Sequence, residues 1–211
     1  MLKIWGRPNS INVQKVMWTV GELGLDHERI DVGGAFGGLD TDSFGRLNPN
    51  RKIPVLEDGE TVVWESQACV RYLAARYGAG ELWANDPGQR ALADRWMDWK
   101  ITTVLPFLHT CFWGLVRTPE ADRDMAAIEA AAESLGDVWR ILDGHLADQR
   151  SAGERFVAGD RLTMGDIPIG AAFYRYVNLP IDRPALPHIE AWYDRLKSRE
   201  PFQNQVMIPV T

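Results

Sequence analysis

A mixed α/β unit followed by an all-helical bundle is the fold class this chain predicts, and three observations carry it. Short apolar strands alternate with amphipathic helices in the first third, in the order β-α-β, loop, β-β-α. After residue 88 every strong hydrophobic pattern repeats at helical spacing. Gly78, Gly80, Pro87 and Gly88 punctuate the chain between the two parts. The expected organisation is an α/β domain over residues 1–78, a linker over 79–88 and a helical domain over 89–211.

Leu2 to Trp5 reads as a short strand, and Val13, Val16, Met17, Val20 and Leu23 then recur with the period of one helix face. Glu28 to Val32 reads as a second strand. Pro54 to Glu57 and Thr61 to Trp64 flank Asp58-Gly59, a dipeptide suited to a tight hairpin because both positions tolerate positive φ. Pro54 has no N–H to give a ladder, so its strand enters the middle of a sheet only if Pro54 stands at the very start. Cys69, Tyr72, Leu73 and Tyr77 mark the next helix. In the second part, Leu92, Trp96, Trp99 and Thr103 form a stripe that Pro106 is expected to kink or end. A longer stripe runs from Ile128 to Leu146, a third from Ile169 to Val177 and a fourth from Ile189 to Leu196. Thr163 is placed to cap the third of these, with Asp166 reaching back to the cap backbone, Leu162 and Ile167 as a hydrophobic staple, and Pro168 just past the first turn.

Composition narrows the function classes. With 211 residues, 45% of them hydrophobic, the chain has ample material for real cores. No apolar run approaches the ~20 residues of a membrane span, and a strand pattern begins within two residues of the N-terminus without a leader, so a cytoplasmic protein is expected. A formal charge of -6 and no Lys/Arg cluster give no footprint for nucleic acid. Cys69 and Cys111 lie far apart without metal-ligand spacing, which predicts buried thiols and no metal site. His27, His109, His145 and His188 have no partner spacing and are assigned no catalytic role.

Three local features suggest a site for a small acidic peptide. Ser10 stands where the first strand gives way to a helix; taken alone it is an N-cap, with Asn9 and Asn12 as competing turn or cap residues. Its hydroxyl and the neighbouring helix N–H groups also suit an anion. Ile53-Pro54 enters a strand, and a cis bond there would free the N–H and C=O of Ile53 for a peptide ligand, although trans is the commoner form. Glu65-Ser66 opens a helix: Ser66 with the first N–H groups suits a carboxylate, and Glu65 an ammonium, the two halves of an α-amino acid head. Arg51 or Lys52 could meet a second carboxylate. Together these features point to glutathione.

With those residues in that order, the chain resembles a cytosolic-type glutathione S-transferase, nearest to the bacterial theta- or beta-like branch. The resemblance covers essentially the whole length, from Trp5 through the Asn48-Pro49 to Leu56 segment and Glu65-Ser66 to Thr163–Asp166. It implies a thioredoxin-like N-terminal domain, an all-α C-terminal bundle, a cytoplasmic homodimer, and detoxification by conjugating glutathione to a small electrophile without a metal. The stripe of Leu92, Trp96 and Trp99 supplies apolar surface for such a dimer, with core packing inside one chain as the competing explanation. The resemblance further implies that Ser10 holds the glutathione sulfur with help from Asn12. Ile53 and cis-Pro54 would hold the cysteinyl backbone, Glu65 and Ser66 the γ-glutamyl head, and Lys52 the glycyl end. Trp5 and Arg7 would shape the pocket floor, with Phe107, Cys111, Trp113 and Arg117 lining the substrate side. Arg117 could orient an acidic substrate, favour the thiolate, or simply complement a helix dipole. A glutathione-dependent isomerase, lyase or dehalogenase is the alternative enzyme, and a noncatalytic binding module the alternative outside catalysis.

Overall fold

The computed structural model describes residues 1–211. Its N-terminal part is a thioredoxin-like sheet of four strands, β1 (Leu2–Trp5), β2 (His27–Ile30), β3 (Val55–Asp58) and β4 (Thr61–Trp64), in the order β2-β1-β3-β4. β1 runs parallel to β2 and antiparallel to β3, which pairs antiparallel with β4. β3 is therefore interior, and Pro54 sits immediately before its first residue, the one location where a missing N–H leaves the ladder intact. The β3–β4 pairing matches Asp58 with Thr61, so the two-residue turn is Gly59-Glu60, one position later than Asp58-Gly59. Only Gly59 takes a positive φ there, +61°.

Helix α1 (Ile11–Glu22) connects β1 to β2, α2 (Asp42–Leu47) follows the glycine-rich loop, and α3 (Ser66–Tyr77) follows β4. Val13, Val16, Met17 and Val20 of α1 pack with Leu2, Ile4, Leu56, Cys69 and Leu73 as the sheet's own core. The other face of α1 is buried as well: Trp18 belongs to the large core of the helical part and meets Phe202 edge-on at 4.7 Å. Glu22 at the end of α1 accepts two hydrogen bonds from Arg199, at 2.8 and 2.6 Å. α1 is thus the shared wall of both parts.

The C-terminal part is all helix: α4 (Pro87–Trp99), α5 (Leu105–Phe112), α6 (Met125–Ser151), α7 (Asp166–Val177), α8 (Pro187–Lys197) and α9 (Glu200–Gln205). Pro106 neither ends nor breaks its helix. Residues 87–117 form one continuous rod, because wide π-helical turns at Lys100–Val104 and Trp113–Arg117 bracket α5 and the backbone stays helical at Leu105 and Trp113. The first wide turn stands just ahead of Pro106, where a ring and a lost donor have to be accommodated.

Asp166 does reach back to Thr163, accepting from its N–H at 2.9 Å and its hydroxyl at 3.0 Å. Thr163 does not cap in return: the helix starts at Asp166, and Pro168 falls inside the first turn, where its missing N–H costs nothing. Asp166 is fully buried and also accepts from Val157 N–H and Trp192 Nε1, tying α7 to α8 and to the segment before it. Trp96 is buried and Trp99 packs on Trp96 and Trp139 at 5.1 and 6.0 Å, so of the two readings of this stripe these tryptophans follow the second, packing into the chain's own core rather than forming free apolar surface. No helix is long and apolar enough to cross a membrane.

Candidate active site

The loop between β1 and α1 is pinned by backbone bonds, Gly6 N–H to Ile30 O at 2.8 Å and Arg7 N–H to Val32 O at 3.1 Å. Gly6 has φ +151°, and a Cβ there would come within 2.4 Å of Val13 Cγ2 and 3.3 Å of Ile53 Cβ. Only glycine lets this loop press against both α1 and the approach to β3. The result sets Arg7, Asn9 and Ser10 beside the Lys52–Pro54 segment.

Ser10 occupies the N-cap position of α1 in extended conformation, φ -82° and ψ 120°, yet its side chain makes no capping hydrogen bond. The N-cap reading is therefore half right: position without the bond. The hydroxyl instead borders a cavity of about 660 Å3 lined from the sheet side by Arg7, Asn9, Ser10, Ile11, Asn12 and Lys52. The helical side of that cavity is Leu105, Leu108, His109, Phe112, Trp113, Arg117 and Arg175. Asn12 Oδ1 accepts from Ser66 Oγ at 3.4 Å, which leaves the Asn12 amide N–H groups unused and links the cavity to the start of α3.

Around that link lie the remaining sheet-side candidates. The Ile53–Pro54 bond is cis. Neither the N–H nor the C=O of Ile53 has a hydrogen-bonding partner in the chain, while Asn48 Nδ2 fixes the preceding carbonyl, that of Lys52, at 2.8 Å. Glu65 takes φ +66°, a conformation that is sterically unfavourable for a residue with a side chain, and stands exposed before buried Ser66 at the start of α3.

Three candidates fall away from the cavity, Trp5 of the sheet and Phe107 and Cys111 of the helical side. Trp5 packs edge-on against Phe44 and donates to Glu57 within the sheet. Phe107 packs against the helical core. Cys111 is fully buried with its sulfur 3.8 Å from Ile128 O, and burial pushes its thiol pKa up. An i, i+1 spacing on α5 turns these side chains away from Leu108 and Phe112, which do face the cavity. Trp113, half exposed, and Arg117 do line it. The sequence did not single out the apolar lining residues Ile11, Leu105, Leu108 and Phe112, nor His109, stacked obliquely on Trp113 at 5.5 Å, nor Arg175 of α7. Arg175 had a visible signal, since it is the only charged residue between Asp166 and Asp182.

Arg175 is buried, with its guanidinium 4.0 Å from the Phe112 ring centroid and Nη2 donating to Asn9 O at 3.4 Å. Burial, then the charges of Arg117 and Arg7, lowers its pKa to about 10, so it stays protonated at neutral pH. Arg7 is lowered too, by burial and by Arg117. Behind the cavity wall, Lys15 of α1 and Lys100 of the first wide turn are both buried, and neither forms an ion pair.

Known proteins share this sequence and fold along the full chain. The model of the glutathione S-transferase N-terminal domain matches residues 9–76, and that of the glutathione S-transferase C-terminal domain matches residues 125–195. Glutathione S-transferase GstB of Escherichia coli K12 is 39% identical over 100% of both chains, and glutathione S-transferase 3 of Zea mays is 31% identical over 97% of this chain and 93% of its own. The crystal structure of the theta class glutathione S-transferase from Xanthomonas axonopodis pv. citri with glutathione bound superposes with a TM-score of 0.93 at 47% identity, covering 100% of this chain and 99% of that one. The sheet and bundle thus agree with a sequence match along the full length, and the chain belongs to the glutathione S-transferase family.

Proposed function

We propose that the protein binds glutathione along the sheet edge and transfers it, as a thiolate, to a small electrophile held against the helical wall. Glu65 and Ser66 take the ammonium and carboxylate of the γ-glutamyl head, Ile53 pairs with the cysteinyl backbone, and Lys52 meets the glycyl carboxylate. The sulfur then lies at Ser10. The observation that carries this reading is the Ser10 hydroxyl, which stands at a helix N-terminus on the cavity wall with no partner of its own. A hydroxyl so held donates to an anion without first breaking a bond, and the amides of α1 add positive potential.

Glutathione gives up its thiol proton to solvent. The thiolate attacks the electrophilic carbon, and the C–S bond forms as the leaving group departs with its electron pair. Asn12, with its carbonyl occupied by Ser66, has N–H groups to offer the same sulfur.

Detoxification in the cytoplasm, as a homodimer, completes the proposal. The dimer is supported by Val62 and Trp64, which stay more than a third exposed on the outer face of edge strand β4, and by Leu92 at 39%. A glutathione resin followed by parallel assays of conjugate, released halide and oxidised glutathione tests the activity. Retention with conjugate as the product is expected; flow-through would indicate a module without the site, and disulfide or an isomerised product a different glutathione-dependent enzyme. Sedimentation at micromolar concentration should give twice the 23.8 kDa chain mass, and a species at the chain mass would overturn the dimer.

A further inference from the structure

The cavity's charge is out of keeping with the chain. Acidic residues outnumber basic ones 29 to 23, yet the cavity is lined by Arg7, Lys52, Arg117 and Arg175 and by no Asp or Glu. None of the four cations pairs with an Asp or Glu side chain. Each arginine makes a single side-chain hydrogen bond, Arg7 to Asn9 Oδ1, Arg175 to Asn9 O and Arg117 to Thr211 O, so most of their N–H donors are unspent. Burying like charges side by side is costly, and the lowered pKa values of Arg7 and Arg175 record that cost.

Glutathione does not balance this set. On the reading above, its glycyl carboxylate meets Lys52, its γ-glutamyl carboxylate lies at Ser66, and its thiolate offsets a single further charge. Two guanidiniums remain on the helical side, Arg117 and Arg175. Both face the ring of Phe112, with Cζ 5.6 and 4.0 Å from its centroid. A guanidinium braced on an aromatic face is a fixed, planar fork, suited to a carboxylate rather than to a neutral aromatic.

We propose that the electrophile is a small carboxylate-bearing molecule whose carboxylate is held by Arg117 and Arg175, while its electrophilic carbon faces the sulfur at Ser10. This rests on the glutathione reading and adds the substrate class to it. Thiolate attack displaces a leaving group from carbon, giving a thioether that keeps its carboxylate, plus the departed anion. The arginines also offset the repulsion between thiolate and carboxylate that slows the same reaction in water.

Iodoacetate and iodoacetamide test the idea, because they present the same carbon and the same leaving group and differ only in charge. Cys69 and Cys111 are buried, so the probes should leave the protein itself intact over the assay. After subtracting the uncatalysed rates, the wild type should favour iodoacetate in kcat/KM by at least about tenfold. Arg117→Gln should cut the acid-to-amide ratio about tenfold, equivalent to ~1.4 kcal/mol. Arg175→Lys, which keeps a charge in the buried position, should cut it less. Glutathione affinity is measured separately by calorimetry on each variant. Equal turnover of acid and amide by the wild type overturns the proposal. So does an equal loss of both in Arg117→Gln, which would mean that the arginine serves the thiolate. Intact glutathione binding without turnover of either probe overturns the carboxylate site alone, and absent glutathione binding overturns both readings together.

Discussion

The two walls of the cavity are built by different means. The sheet wall relies on the backbone, with Gly6 setting the loop that carries Arg7 to Asn12 and the N-terminus of α1, and the features beside the cavity do the same: a cis Ile53–Pro54 bond, a positive φ at Glu65 and the N-terminus of α3. The helical wall relies on side chains delivered from α5, the wide turn after it and α7, which are far apart in sequence. The first arrangement needs little buried charge. The second keeps Arg175 in the interior, with Lys100 behind it, at the expense of the fold, and Lys15 is buried on α1, the helix that both walls share. Mutations in the sheet wall should therefore reduce ligand affinity or rate and leave stability alone, whereas removing charge behind the helical wall should gain stability.

Lys100 offers the largest test of that contrast. Burial, then the charge of Arg175, lowers its ammonium from the usual 10.5 to about 8. Below pH 8 both folded and unfolded chains hold the proton, and the full burial penalty is present. Between pH 8 and 10.5 the folded chain releases the proton first, so the unfolded state binds more protons and stability rises with pH. Above 10.5 both forms are neutral and the penalty is gone. Lys100→Met should thus stabilise the protein at pH 7 by on the order of 3 kcal/mol, with the advantage shrinking from pH 8 to 10.5. Urea unfolding of both proteins across that range measures it. A destabilised variant at pH 7 would mean that the ammonium has an anionic partner, and the contrast between the walls would fail.

On the sheet wall, Glu65→Ala and Ser66→Ala should each lower glutathione affinity roughly 10- to 150-fold, the equivalent of ~1.5 to 3 kcal/mol for a hydrogen bond to a charged group. Unfolding midpoints should barely move. Glu65 is exposed and makes no hydrogen bond through its side chain, and Ser66 gives up only a long contact to Asn12. Titration calorimetry decides it, and unchanged affinity would remove both residues from the site.

The same contrast explains what the sequence disclosed. Backbone devices leave short local signatures, so Ser10, Ile53-Pro54 and Glu65-Ser66 could be found from residue type and order alone. Side chains on helices carry no such mark: Phe107, Cys111 and Phe112 all sit within one and a half turns of α5, and only the docking of that rod decides that Phe112 meets the cavity while the others turn inward. The wide turn at Lys100–Val104 makes this worse, because it changes the phase of every residue after it relative to a regular 3.6-residue count. Arg175 is the exception, since a lone charge in an apolar helix is informative without any register. For the core, the stripe on α1 correctly marked the face against the sheet, but Trp18 and Lys15 lie off that stripe and are buried only because a second layer covers the helix.

Ser10 is where the local and the catalytic readings compete most directly, and the smallest of these effects separates them. A glutathione thiol with pKa about 8.5 is only ~3% ionised at pH 7, so an enzyme gains rate by favouring the thiolate where it attacks. A hydrogen bond from Ser10 together with the α1 amides is expected to lower that pKa by ~2 units, about 2.7 kcal/mol, making the thiolate the major form. Loss of the hydroxyl removes only part of this, because the amides and Asn12 remain. Ser10→Ala should therefore lower kcat/KM by roughly 10- to 100-fold while glutathione affinity changes little. A serine acting as a helix cap would instead cost about 1 kcal/mol of stability when replaced by Ala. Here the cap bond is absent, so stability should stay within a few tenths of a kcal/mol. The absorbance of the bound thiolate, titrated against pH in both proteins, is the direct measurement. Coincident curves combined with a lowered unfolding midpoint would return Ser10 to the fold and pass the sulfur to Asn12, Arg7 or Arg117.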